Sequence, residues 1–180
     1  MKQKSVVVAI LAGFSMVAGA TAQGHSMKDC PMAQAHQHEA GNHQHDSMNE
    51  RGDKGMGFDH LKTTHHFRLL TDGGAIEVSA NEAKDTISRD KIRGHLGHIA
   101  VMFTEGNFSI PMFVHDQVPP GVETMKQQKD AISYKYEQTE RGGRVRISTS
   151  NADALRAVHE FLRFQIQEHQ TGDPLDPGKH

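Results

Sequence analysis

The chain carries one cysteine, Cys30, and that alone excludes an internal disulfide framework. Its charge is nearly balanced, with a formal net charge of −2. Basic residues do not cluster, so nothing points to nucleic acid as a partner. Beyond the first twenty or so residues no apolar run is long enough to span a bilayer. The sequence also lacks the signatures of familiar enzymes. There is no G-x-S-x-G elbow, no His-Glu-x-x-His zinc helix, no P-loop and no Cys-x-x-Cys-His haem site. Glu77, Glu105, Asp116, Glu137 and Glu160 show no pairing that would suit acid–base work. Cys30 sits in a polar, low-complexity stretch, a poor place for a preorganised nucleophile.

What is present begins with an export leader. Lys2 and Lys4 precede a mostly apolar run from Val6 to Val17, and Ala20-Thr21-Ala22 forms an A-x-A cleavage site. Together they read as a signal peptide over 1–22, with a soluble mature chain starting at Gln23. The expected location is periplasmic or secreted. Cys30 is not beside the cleavage site, which argues against a lipid anchor.

Residues 25–60 hold six of the fourteen histidines and four of the nine methionines. With so few large apolar side chains, a tail over 23–57 is expected to stay disordered. It is nonetheless rich in donors for metal. The mature start, Gln23-Gly24-His25, places an imidazole at the third position. There it can join the amine and two backbone amides in one plane, which resembles the amino-terminal Cu(II)/Ni(II) motif. Cyclisation of Gln23 would block the amine, and a chance histidine near a processed end is the plain alternative. Met27, Cys30 and Met32 form a soft sulfur cluster. The phrase Met-Lys-Asp-Cys-Pro-Met is similar to the Met/Cys/His-rich segments of bacterial copper-handling proteins. His36, His38, His43 and His45 make two His-x-His pairs. Sulfur favours Cu(I), and imidazole favours Cu(II), Zn(II) or Ni(II). Copper is therefore the expected ion, with zinc and nickel as alternatives. A solvated linker that binds metal only incidentally is the competing reading.

The rest suits one domain of about 120 residues, over 58–171, followed by an extended end, 172–180, interrupted by Pro174 and Pro177. Two similar halves are expected. Strands around Phe67 and Ile76 meet at a Gly-Gly hairpin and lead into a helix near 85–105. Strands around Tyr134 and Val145 repeat the pattern and lead into a helix near 152–169. Alternation puts Phe67, Leu69, Ile76, Val78, Tyr134, Tyr136, Val145 and Ile147 on one face. This predicts an α+β domain of two layers: an antiparallel sheet of about four strands with two helices on one face, β-β-α repeated. Residues 110–116 could form a short extra strand, and 122–130 a helical turn or a loop.

Within the domain, His95, His98 and Met102 share one side of the first helix by their i, i+3, i+7 spacing. With His115 they could hold an ion. Met102 as core filler and histidines capping the sheet edge are the plainer alternative. His159 and His169 lie too far apart along a helix to share an ion, and each reads as a hydrogen-bonded histidine. His65 points inward with Phe67. The chain as a whole reads as an exported metal-binding protein for copper capture, buffering or delivery. Another exported metal-handling protein is the conceivable partner. Two other readings stay open. One is a small enzyme or ligand-binding domain with His95, His98 and His115 around a pocket. The other is a partner-binding module to which the tail is accessory.

Overall fold

The computed structural model of the chain describes residues 46–178. A helix, α1, occupies 46–56. A short 3₁₀ turn, His60–Lys62, leads into β1, Thr63–Leu70, and β2, Gly73–Ala80. Three helices follow: α2, Thr86–Thr104; α3, Ser109–His115; and α4, Val122–Gln127. A second 3₁₀ turn, Lys129–Ala131, precedes β3, Ile132–Thr139, and β4, Gly142–Thr149. Helix α5, Ala152–Glu168, closes the regular structure. Among the described residues no helix is long and apolar enough to cross a membrane.

The four strands form one antiparallel sheet in the order β1-β2-β4-β3. Alternation fixes its faces. Phe67 pairs with Ile76, and Tyr134 with Ile147, so both hairpins turn their apolar residues to the same side. Val145 and Ile147 are fully buried there. The opposite face carries Arg68, Glu77, Lys135, Glu137, Arg144 and Arg146. There Glu137 and Arg144 pair at 2.6 Å, and Arg68 and Glu77 approach to 3.9 Å. Such exposed pairs contribute about 0–1 kcal/mol each.

The two long helices cover the apolar face with an exchange. α2 lies mainly over β3 and β4, the second hairpin, whereas α5 lies mainly over β1 and β2, the first. Each helix begins on a side-chain cap. Asp85 Oδ1 accepts from the Ser88 N–H at 2.9 Å, and Asn151 Oδ1 from the Asp153 and Ala154 N–H groups. Such a cap stabilises a helix by about 1 kcal/mol. Phe103, Phe108 and Phe161 meet at the centre, with Phe103 and Phe108 stacked 4.4 Å apart.

The glycine pairs have a different job from the expected one. The hairpin turns are Thr71-Asp72 and Glu140-Arg141, because Leu70 pairs with Gly73 and Thr139 with Gly142. The glycines open β2 and β4 instead. A Cβ on Gly73 would collide with the Ile147 carbonyl, and one on Gly142 with the Val78 carbonyl. A Cβ on Gly74 would strike Leu162 of α5, and one on Gly143 would crowd Leu96 of α2. The repeat is thus one of packing: each pair lets the central strands and the facing helix approach closely.

Two further segments differ from expectation. Residues 109–115 form α3 and not a strand; Pro111 sits in its first turn, where the missing N–H costs nothing. Residues 46–56, expected in the tail, are helical, and Met48 is only 4% exposed there. Arg51 ties this helix down through its Nε–H, which donates to the Val114 carbonyl at 2.9 Å.

The end of the chain lies against β1. The Asp173 carboxylate accepts from the Phe67 N–H at 2.9 Å, and the Gly178 N–H donates to the Leu69 carbonyl at 3.1 Å. A parallel bridge joins Leu70 and Gly178. This segment occupies polar groups that an edge strand would otherwise expose.

Candidate functional site: a histidine-lined chamber

Four imidazoles from four elements face one chamber between the helices and the sheet. β1 supplies His65, which shares the inward face with Phe67. α2 supplies His95, one position from Leu96 on the buried stripe. α3 ends on His115, and α5 is capped by His169. Met56, at the end of α1, and Gln165, one turn before His169, join them. Apolar side chains including Phe67, Val78, Ile99 and Val114 complete the walls, and the space within is about 70 Å³.

The rings are close. His65 and His169 stack with centroids 5.8 Å apart and planes 8° from parallel. His115 meets His169 nearly edge-on at 5.1 Å. Phe58 lies between the rings of the first half, 5.6 Å from His95 and 6.2 Å from His65.

Hydrogen bonding fixes the chemistry of one ring. His115 Nε2–H donates to the Gln165 Oε1 at 3.0 Å. In the neutral imidazole that leaves Nδ1 as a bare lone pair. This Nδ1 is buried without a hydrogen-bond partner, as are His65 Nε2 and the amide nitrogen of Gln165. The Glu168 carboxylate stands 3.9 Å from His115 Nδ1, beyond hydrogen-bond range. Buried polar atoms without partners are uncommon, and three of them line this one cavity.

The electrostatics keep three of these rings, His65, His95 and His115, neutral. Burial pushes His65 down to about 4, and the nearby His95, His60 and His66 push the same way. Burial likewise pushes His95 down to about 4, helped by His98. His115 is also lowered by burial, against the opposing pull of Gln165 and Glu168. Neutral imidazole is the form that ligates metal.

The expected site residues separate. His95 and His115 line the chamber. His98, on the exposed side of α2, is not among its walls. Met102 is 7% exposed and packs in the apolar core. His25, Met27, Cys30, Met32, His36, His38, His43 and His45 lie outside the described residues. His169 and Met56 line the chamber as well, although helical spacing on α2 did not group them with it. His169 follows Gln165 by four residues, so both fall on the inward side of α5, a signal that was available. His159 stands apart from the chamber: its Nε2–H is shared between the carbonyls of Leu70 and Gly73, at 2.9 and 3.0 Å, and locks the first hairpin turn.

A second cluster, Asp53, Asp59 and His60, brings three donor atoms within 4.8 Å of one another. These atoms are already engaged. Asp53 accepts from the His60 N–H at 2.8 Å and faces its Nδ1 at 3.0 Å, and Asp59 accepts from the Leu61 N–H at 2.8 Å. The cluster ties α1 to the 3₁₀ turn that leads into β1.

Compared with protein-family models, curated proteins and solved structures, the chain finds no match.

Proposed function

We propose that this chain is an exported metal-binding protein that captures and holds copper, with the folded domain providing a holding site besides the His/Met-rich segment ahead of it. One observation carries the reading: two neutral imidazole nitrogens, His65 Nε2 and His115 Nδ1, are buried without partners at an apolar chamber. Burying such polar ring nitrogens costs free energy unless something binds them. The leader over 1–22 supports export. The sulfur and imidazole donors of residues 25–45 support copper over zinc and nickel, because they serve both of its oxidation states.

The alternative of an organic ligand in a His-lined pocket is less well supported by the chamber. Its volume of about 70 Å³ is roughly half that of a 150 Å³ cavity able to hold benzene. That volume suits an ion with a water better than an organic substrate of ordinary size.

The test is a metal titration of the processed chain, with its amino terminus fixed by mass. Stoichiometric copper binding is expected, with one equivalent lost in His65→Gln/His115→Gln. Tight Cu(II) binding that disappears in His25→Ala would add the terminal site. Copper held no better than by an ordinary protein surface sinks the proposal.

A further inference from the structure

Resting on the metal-binding reading, we propose that the chamber is a Cu(I) site in which His65 Nε2 and His115 Nδ1 are the nitrogen ligands and the Met56 thioether a third, weaker one. Four observations lead there. First, the chamber offers imidazole, amide and thioether donors, and its walls contain no Asp, Glu or Cys. The cost of desolvating an ion rises with the square of its charge, so a dication is penalised roughly fourfold more than a monocation in such surroundings. A monocation among neutral donors is the species the chamber tolerates best.

Second, the donors are few. Among the described residues, the surface trio of Asp53, Asp59 and His60 is the group of three His, Cys, Asp or Glu donors that closes to within 4.8 Å. The chamber histidines do not converge as tightly as a four-coordinate zinc cage requires. Cu(I) is satisfied by two or three ligands and prefers the soft thioether that Met56 brings from α1.

Third, the His115 ligand is pre-set from behind. Its Nε2–H is spent on Gln165 at 3.0 Å, the usual way in which a ligating imidazole is oriented by a carbonyl group in the surrounding shell. Fourth, the nearest carboxylate, Glu168, stands partly in solvent with a side chain 36% exposed, 3.9 Å from His115 Nδ1. It lies outside the chamber walls and offers little of the anionic compensation that a divalent ion would need.

The assay is thermal unfolding of the full processed chain under anaerobic conditions. Cu(I) is presented as a buffered chelate, and Zn(II), Ni(II) and Cu(II) are tested in parallel. An ion held only by the amino-terminal segment leaves the domain's Tm where it was, whereas one held in the folded chamber raises it. At a hundredfold excess over Kd the expected rise with Cu(I) is on the order of 10 °C. The rise should vanish in His65→Gln/His115→Gln, shrink in Met56→Leu and persist in Glu168→Gln. Should the double variant not fold, the ¹⁵N resonances of His65 and His115 in the wild-type chain give the same answer, and Cu(I) must shift Nε2 of the first and Nδ1 of the second. An equal or larger rise with Zn(II) or Ni(II), or loss of the Cu(I) response in Glu168→Gln, overturns the Cu(I) assignment while metal binding stands. Stoichiometric copper without any rise in Tm moves the metal to the amino-terminal segment and overturns the chamber site. Absence of copper binding overturns both this inference and the function on which it rests.

Discussion

Acidifying the metal-free protein from pH 8 to pH 5 should weaken the fold through His65 and His95. Each ring titrates near its ordinary 6.5 when the chain is unfolded and at about 4 when it is folded. Between those values the unfolded chain binds more protons than the native one, so stability falls as the pH drops. The contribution is complete above about pH 6.5 and exhausted near pH 4. At pH 5 each ring accounts for a loss of about 2 kcal/mol. His95 is itself among the causes that lower His65, so the two losses do not simply add, and about 2–4 kcal/mol is expected for the pair. His115 acts in the same direction. Against a typical domain stability of about 5–15 kcal/mol this is a large fraction. Urea melts at the two pH values measure it. With a slope of about 1.5–2 kcal/mol per molar, the midpoint should fall by roughly 1–3 M. The control is His65→Gln/His95→Gln, in which most of that fall should be gone. If wild type and variant lose the same stability between pH 8 and pH 5, the buried neutral rings are not its source and the reasoning fails.

Three other outcomes follow from the packing. His159→Leu strips the shared donor from the carbonyls of Leu70 and Gly73 and should cost about 1–3 kcal/mol in chemical denaturation, a loss that His159→Gln partly restores. Gly74→Ala should destabilise by more than 2 kcal/mol, because the new Cβ meets the Arg68 carbonyl as well as Leu162. Gly143→Ala should cost about half as much, since the Tyr136 ring and Leu96 can shift aside; the order of the two midpoints is the check, and a reversed order would refute it. Asp173→Ala removes the acceptor for the Phe67 N–H and for Thr171. It should speed hydrogen exchange at Phe67 selectively while leaving amides of the central strand β4 protected.

The two-layer domain was legible because period-two alternation in both hairpins and the caps at Asp85 and Asn151 act locally. The sheet order was not legible, and the site depends on it. With β2 paired to β4, α5 lies over the first hairpin, where His169 stacks on His65 and meets His115 of α3. Helical spacing grouped His98 and Met102 with His95, yet the three diverge: His95 reaches the chamber, His98 solvent and Met102 the core. A periodic rule specifies a side of a helix to within about a quarter-turn, and a chamber wall is narrower than that. The helical state of 46–56 was hidden by composition. A polar segment looks disordered by itself, and Met48, Met56 and Arg51 become anchors only where a finished surface receives them.

The exchange of helices between the two hairpins gives the domain a particular order of events. Neither half can cover its own sheet, so a nascent first half carries an unsheltered hairpin until β3, β4 and α5 arrive. The wall of the chamber is divided in the same way, with His65, His95 and His115 ahead of β3 and Gln165 and His169 at the far end of α5. The three ligands themselves thus belong to the first half, but Gln165, which orients His115, and the wall that His169 completes arrive only with α5. An ion in the chamber would meet an oriented His115 and a closed wall only after the last helix has docked, and its firm retention would report that folding is finished.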